Sequence, residues 1–248
     1  KKNIILKEKT ALITGATRGI GKAIADEFLK AGASVILTGT NKIEIERKNS
    51  INKNPKVTWL TADFSTQRGV EEFISELENI RLIDICINNA GINIIKSFEE
   101  YSINEYQRLL AINLTAPFLL LQHILPNMKK RGFGRIVNIA SIWSEISKSG
   151  RSLYTTSKTG LVGVTRSLAV EYASSNILVN AVSPGFTRTE LTEKSLSKDE
   201  MKTLSAQIPI QRFADPSEIA KVVLFLCSDL NTYITGQNII IDGGFTLV

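Results

Sequence analysis

Thr10-Ala-Leu-Ile-Thr-Gly15-Ala-Thr-Arg-Gly-Ile-Gly21 decides the fold. An apolar run from Thr10 to Thr14 stops at Gly15, and Ile20 to Leu29 carries helical periodicity. A strand, a glycine turn and a helix in that order can seat a phosphate: glycines let the backbone approach a pyrophosphate, and the helix N-terminus offers free N–H groups and a positive dipole. The glycines fall at 15, 19 and 21, a spacing unlike the G-x-G-x-x-G fingerprint, so only the mechanics of that motif carry over. A tight turn that binds nothing is the alternative at this point.

Working outward, Ser34–Thr38 reads as the second strand of a βαβ unit and ends in Gly39, Thr40 and Asn41. An NAD site usually places a carboxylate there for the ribose 2′-hydroxyl. With none present, nothing repels a 2′-phosphate, and Arg18 with Thr40 could bind it, which predicts NADP(H). Further strands are expected over Lys56–Ala62, Ile83–Asn88, Gly134–Ala140, Ile177–Val182 and Ile239–Asp242. Helices are expected over Gln67–Leu77, Ser102–Leu125, Tyr154–Ala173 and Glu218–Leu226. Strands alternate with helices throughout, so the expected fold class is α/β, a single doubly wound parallel sheet with helices on both faces. Residues 1–248 are expected to make one domain, with the polar stretch 188–207 as a mobile substrate lid. Asp63 follows a strand end, where it could accept from an adenine amine or cap the next helix.

The chemistry is placed between Ser141 and Lys158. Tyr154 and Lys158 are four apart and share one face of a helix, where the ammonium could lower the pKa of the phenol toward a useful range. Ser141 adds a second hydroxyl, and two hydroxyls on one carbonyl oxygen would polarise it while hydride reaches the carbon. An exposed helical Tyr/Lys pair is the bland alternative.

Composition narrows the field. The chain has 248 residues, 43% of them apolar and 22% charged, with a net charge of +6. No sequence run resembles a membrane span, and the charged opening Lys1–Lys9 is unlike a signal peptide, so a cytoplasmic protein is expected. Cys86 and Cys227 sit in apolar runs and read as buried free thiols. His123 stands in no ligand-spaced cluster, so no metal is expected. Lys129-Lys130-Arg131 beside Gly132 reads as a solvated helix end, and without a reading motif nucleic acid is not an expected partner.

Together, Thr14-Gly15 through Gly21, Asp63, Asn88-Asn-Ala-Gly91, Asn113, Ser141 thirteen before Tyr154, Lys158 and Pro184-Gly185 resemble the short-chain dehydrogenase/reductase family over nearly the whole chain. Within it the likeness is greatest to the 3-oxoacyl-(acyl-carrier-protein) reductases. That resemblance implies Tyr154 as proton donor and Ser141 as the residue that orients the carbonyl. It implies Lys158 on the nicotinamide ribose and Asn113 anchoring a relay water. It assigns cofactor contacts to Gly15, Thr17, Arg18, Gly19, Ile20, Gly21 and Thr40, to Asp63 and Phe64 at adenine, to Asn89, Ala90 and Gly91 at ribose, and to Pro184, Gly185 and Thr187 at the nicotinamide. It also implies a homotetramer. One departure stands out: a basic residue expected in Glu171–Asn176 for gripping acyl carrier protein is replaced by Ser174 and Ser175, leaving Arg131 as the remaining docking site. Trp143, Glu145 and Arg151 make the substrate side more polar than an acyl chain needs. The leading expectation is an NADPH-dependent carbonyl reductase acting on a 3-oxoacyl thioester. The alternatives are a dehydrogenase of a sugar or other small polar alcohol, and an NADP-binding redox regulator without turnover.

Overall fold

A computed structural model describes residues 5–80 and 82–248. The reading of the opening stretch falls partly on residues 1–4, outside the described residues. The chain runs β1 (Thr10–Ile13), α1 (Gly19–Lys30), β2 (Ser34–Gly39), α2 (Lys42–Ile51), β3 (Val57–Thr61), α3 (Gln67–Glu78) and β4 (Ile85–Asn88). It continues through α4 (Ile103–Leu110), α5 (Ala116–Arg131), β5 (Gly134–Ile139), α6 (Ser152–Tyr172) and β6 (Ile177–Pro184). It ends with α7 (Glu190–Ser195), α8 (Lys198–Ala206), α9 (Pro216–Cys227) and β7 (Asn238–Ile241). All seven strands are parallel, in the order β3-β2-β1-β4-β5-β6-β7, so the strand order reverses between β1 and β4. In such sheets ligands bind at the carboxyl edge beside that reversal.

Alternation along the strands divides the core into two layers. Ala11 and Ile13 of β1 join Ile24 and Phe28 of α1 and Ile219 and Val223 of α9 on one face. Leu12 joins Phe73 of α3 and Leu120, Leu121 and Ile124 of α5 on the other, where Ala169 of α6 also packs. Each fully buried side chain of this size stabilises the fold by about 1.5–3 kcal/mol relative to exposure. Gly132, at φ +67°, ends α5 in the left-handed conformation that glycine adopts freely, with Lys129, Lys130 and Arg131 in the last turn. That matches the expected basic helix end.

The expected helix over Ser102–Leu125 is interrupted. A π turn over Ala111–Thr115 joins α4 to α5 and carries Asn113. The combined stretch Ile103–Arg131 is long and apolar enough, by length and composition, to cross a membrane. Its apolar residues have another use in this fold: the stretch lays Leu109, Leu120, Leu121, Leu125 and Met128 fully against protein. The 188–207 stretch, expected as a mobile lid, contains α7 and α8, each capped by a side chain: Thr189 accepts from the Thr192 N–H, and Ser197 accepts from the Glu200 N–H.

Candidate active site

The glycine turn is held from β4. Thr14 Oγ1 accepts from the N–H groups of Asn89 and Ala90, both at 3.0 Å, and Asn89 Nδ2 donates to the carbonyls of Thr14 at 2.9 Å and Gly15 at 3.0 Å. Gly15 has φ +65°, and a Cβ there would stand 2.9 Å from the Ala90 Cα, so the turn and the Asn89–Gly91 strand end pack too closely for a side chain. Arg18 is the extended N-cap of α1, whose first turn has neither a capping side chain nor an acidic residue. N–H groups left free at such a helix start could take an anion. Arg18 and Thr40 are both exposed beside this turn, and Asn41 is committed to capping α2 through the Glu44 N–H at 3.1 Å. Thr17 lies against Gly39, which brings the turn to the end of β2. Ile20 follows in the first turn of α1, half-buried. These groups fit the phosphate end of a dinucleotide.

Farther along the edge, Asp63 does not cap α3. Thr66 does, while Asp63 Oδ1 accepts from the Ser65 N–H at 2.9 Å, and Ser65 holds its carboxyl below the ordinary range. Phe64 is only 5% exposed and packs edge-on to Phe73 at 5.4 Å, so its ring belongs to the core and adenine could meet only its backbone. Gly185 N–H donates to the Ile241 carbonyl at 2.9 Å, directly after Pro184 closes β6, and a Cβ at Gly185 would stand 2.8 Å from Asp242. Thr187 is buried, its hydroxyl donating to the Gly185 carbonyl at 3.2 Å. Thr189, at the start of α7, faces Gly19: a Cβ on that glycine would lie 3.3 Å from Thr189 Cγ2. The 188–207 segment therefore begins over the phosphate turn.

The four expected catalytic residues come together. Ser141 follows β5, 6% exposed, and its Oγ accepts from the Trp143 N–H at 3.3 Å. Lys158, 3% exposed, donates to the Ile139 carbonyl at 2.8 Å, with its ammonium 5.6 Å from the centre of the Tyr154 ring. A Cβ at Gly91 would stand 3.5 Å from Lys158 Nζ and 3.4 Å from Asn113 Oδ1, which puts both groups beside the β4 edge. Asn113 is fully buried: Oδ1 accepts from the Ile92 N–H at 2.9 Å, and Nδ2 donates to the Ile92 carbonyl at 2.9 Å and to Ser157 Oγ at 3.1 Å. Asn88 Nδ2 donates to Asn138 Oδ1 and Asn138 Nδ2 to Thr165 Oγ1, both at 2.8 Å, a buried polar chain that fixes α6 against β4 and β5.

The electrostatics differ from the sequence expectation. Burial pushes the Tyr154 phenol above its usual value, while the Ser141 hydroxyl and Arg151 pull it back. Lys158 is not among the groups that lower it. Burial also lowers Lys158, to about 8, because its ammonium is desolvated. Sequence spacing brings the pair together but cannot count the apolar atoms around it.

Other expected contacts are committed elsewhere. The Asn89 amide staples β1 to β4, and Arg131 donates to the Ile83 carbonyl at 2.6 Å and pairs with Asp84 at 3.4 Å. Sequence reasoning missed Ser157, which donates to the Tyr154 carbonyl at 2.8 Å and ties the π turn to α6. Its place between Tyr154 and Lys158 on one helix turn was the available signal. It also missed the cluster in which Ser183 donates to Asn238 Oδ1 at 2.7 Å, and Asn238 Nδ2 donates to Glu145 at 2.7 Å and to Ser144 at 3.2 Å.

A strand-order reversal flanked by a phosphate turn, with a buried lysine, a phenol and a serine at its edge, defines a dinucleotide-dependent oxidoreductase. The family model described as Enoyl-(Acyl carrier protein) reductase matches residues 15–246, and the chain belongs to the short-chain dehydrogenase/reductase family, whose enzymes act on CH–OH groups. Among its relatives, the 3-oxoacyl-(acyl-carrier-protein) reductase FabG of Aquifex aeolicus is 42% identical, covering 97% of this chain and 98% of the relative. A tropinone reductase homolog of Arabidopsis thaliana is 38% identical, covering 98% and 94%. Among solved structures, a gluconate 5-dehydrogenase from Burkholderia cenocepacia in complex with NADP and tartrate superposes with a TM-score of 0.89 at 27% identity, covering 98% of this chain and 97% of that one.

Proposed function

We propose that this chain is an NADPH-dependent carbonyl reductase that takes a 3-oxoacyl thioester to its 3-hydroxy form. The observation that carries this reading is the placement of the Lys158 ammonium between the Tyr154 ring and the Gly91–Asn113 edge. The phosphate turn with Arg18 and Thr40 would hold the adenosine end of NADP, Asp63 the adenine, and Gly91, Pro184, Gly185 and Thr187 the nicotinamide side. When bound there, NADPH supplies hydride to the carbonyl carbon.

The chain's own groups handle the proton. A phenol held above its usual pKa keeps its proton at neutral pH, so Tyr154 stands ready to donate to the carbonyl oxygen. Ser141 Oγ already accepts from Trp143, and its O–H, which faces the Tyr154 phenol, would donate to the same oxygen. Asn113 holds the Ile92 loop against Ser157, and because both Nδ2 hydrogens are engaged, a relay water would have to bind an oxygen of this residue. Residues 1–248 act as one domain in this reading, with 188–207 as the substrate lid. The homotetramer is proposed on the long helices, where Phe118 of α5 and Val170 of α6 stand exposed.

A second substrate reading, a sugar or another small polar alcohol, is favoured by Arg151 at the substrate side and by Arg131 being engaged with Asp84. NADPH oxidation measured with an acetoacetyl thioester and a panel of keto sugars tests both. Turnover of the thioester is expected, turnover of keto sugars alone would select the second reading, and no oxidation with any carbonyl would overturn the reductase.

A further inference from the structure

Arg151 occupies the N-cap of α6, three residues before Tyr154. Three features of this position work against the fold. The first turn of α6 has no acidic residue and no capping side chain, so a cation sits at the positive end of a 21-residue helix, where the dipole favours anions. The guanidinium is half-buried, and desolvation is the largest influence on its charged form. The titratable groups that face it are the phenols of Tyr154 and Tyr101, and among the described residues no carboxylate pairs with it. Glu145, on the preceding loop, is engaged with Asn238 at 2.7 Å.

A half-buried cation without a counter-charge is rarely retained for stability. What holds this one is Trp143, whose ring centre lies 5.5 Å from the guanidinium carbon and which is itself buried just after Ser141. A cation over an aromatic face is held there by the ring without using up its N–H donors. The neighbouring cations are already engaged: Lys96 with Glu105 at 2.6 Å, and Lys158 with the Ile139 carbonyl at 2.8 Å.

We propose that Arg151 is a specificity-determining residue whose guanidinium binds a carboxylate of the substrate while the reacting carbonyl faces Tyr154 and Ser141. The ligand class is a small oxo acid or its hydroxy acid. A planar fork of donors matches a carboxylate in two bonds, and the free N-terminus of α6 adds to the attraction. This inference rests on the carbonyl-reductase reading and concerns its small substrates: a carboxylate-bearing carbonyl is bound above its neutral partner.

The test pairs each acid with a neutral partner, acetoacetate with acetoacetamide and 5-ketogluconate with fructose. Wild type, Arg151→Gln and Arg151→Lys are compared by calorimetric binding to the NADP-loaded protein and by steady-state kinetics. Wild type is expected to prefer at least one acid over its neutral partner by about 10–100-fold. In Arg151→Gln the acid loses about tenfold or more in kcat/KM relative to its neutral partner, and Arg151→Lys restores part of that difference. Equal losses for acid and neutral partner, or no preference in either pair for the wild type, would overturn the proposal. Because binding is read without turnover, absence of NADPH oxidation would condemn the reductase reading while leaving the Arg151 preference measurable.

Discussion

Replacing Lys158 by Met separates stability from chemistry. The ammonium is 3% exposed, has the Ile139 carbonyl as its hydrogen-bond acceptor, and titrates at about 8 instead of 10.5. A downward shift of about 2.5 units means that the charged form costs the native state roughly 3 kcal/mol. Met fills similar space without the charge but leaves the Ile139 carbonyl unpaired, a loss of about 1–2 kcal/mol. The net expectation at pH 7 is a variant more stable by about 1–2 kcal/mol, or a Tm about 2–8 °C higher, with no reductase activity. The penalty is fully present below pH 8, where Lys158 is charged in both folded and unfolded chains. It is relieved between about 8 and 10.5, where the native state releases the proton first, so the wild type gains on the variant as pH rises. Thermal melts of the ligand-free proteins at pH 6, 7 and 10 measure this. A variant less stable than the wild type at pH 7, or a gap that does not change with pH, would refute the reasoning.

Two further substitutions probe the neighbouring groups. Asn113→Ala removes the three hydrogen bonds of a buried amide and leaves the Ile92 N–H and carbonyl unpaired, so a loss of about 2–4 kcal/mol is expected by chemical denaturation, accompanied by loss of turnover. Arg18→Ala should leave the melting temperature within about 1–2 °C, because Arg18 is exposed and its side chain caps nothing, while the preference for NADPH over NADH falls about tenfold or more; unchanged selectivity in paired kinetic assays would contradict the 2′-phosphate role.

The parts of the molecule that were legible in the sequence are those governed by local spacing. The glycine turn at 15–21 announced itself because a strand end, glycines at 15, 19 and 21, and a helix start lie within twelve residues. The Tyr154–Lys158 pairing follows from helix periodicity alone. Helix α2 went unread because Lys42–Ile51 is largely solvated, with Ile45 its one buried side chain. The π turn at Asn113 depends on Ile92 and Ser157, 21 and 44 residues away, so no local pattern could announce it. Phe64 reads the same in sequence whether it meets adenine or Phe73, and only packing decides. The raised Tyr154 pKa likewise reflects burial contributed by distant elements, which outweighs the pairing inferred from spacing.

The measurement that bears most directly on the proton-donor assignment is the turnover of Tyr154→Phe with saturating NADPH and the best carbonyl substrate from the panel. Removing one hydroxyl should lower kcat by about 10²–10⁴-fold with NADPH affinity unchanged within about threefold. Activity within about tenfold of the wild type would contradict the assignment of Tyr154 as the group that delivers the proton.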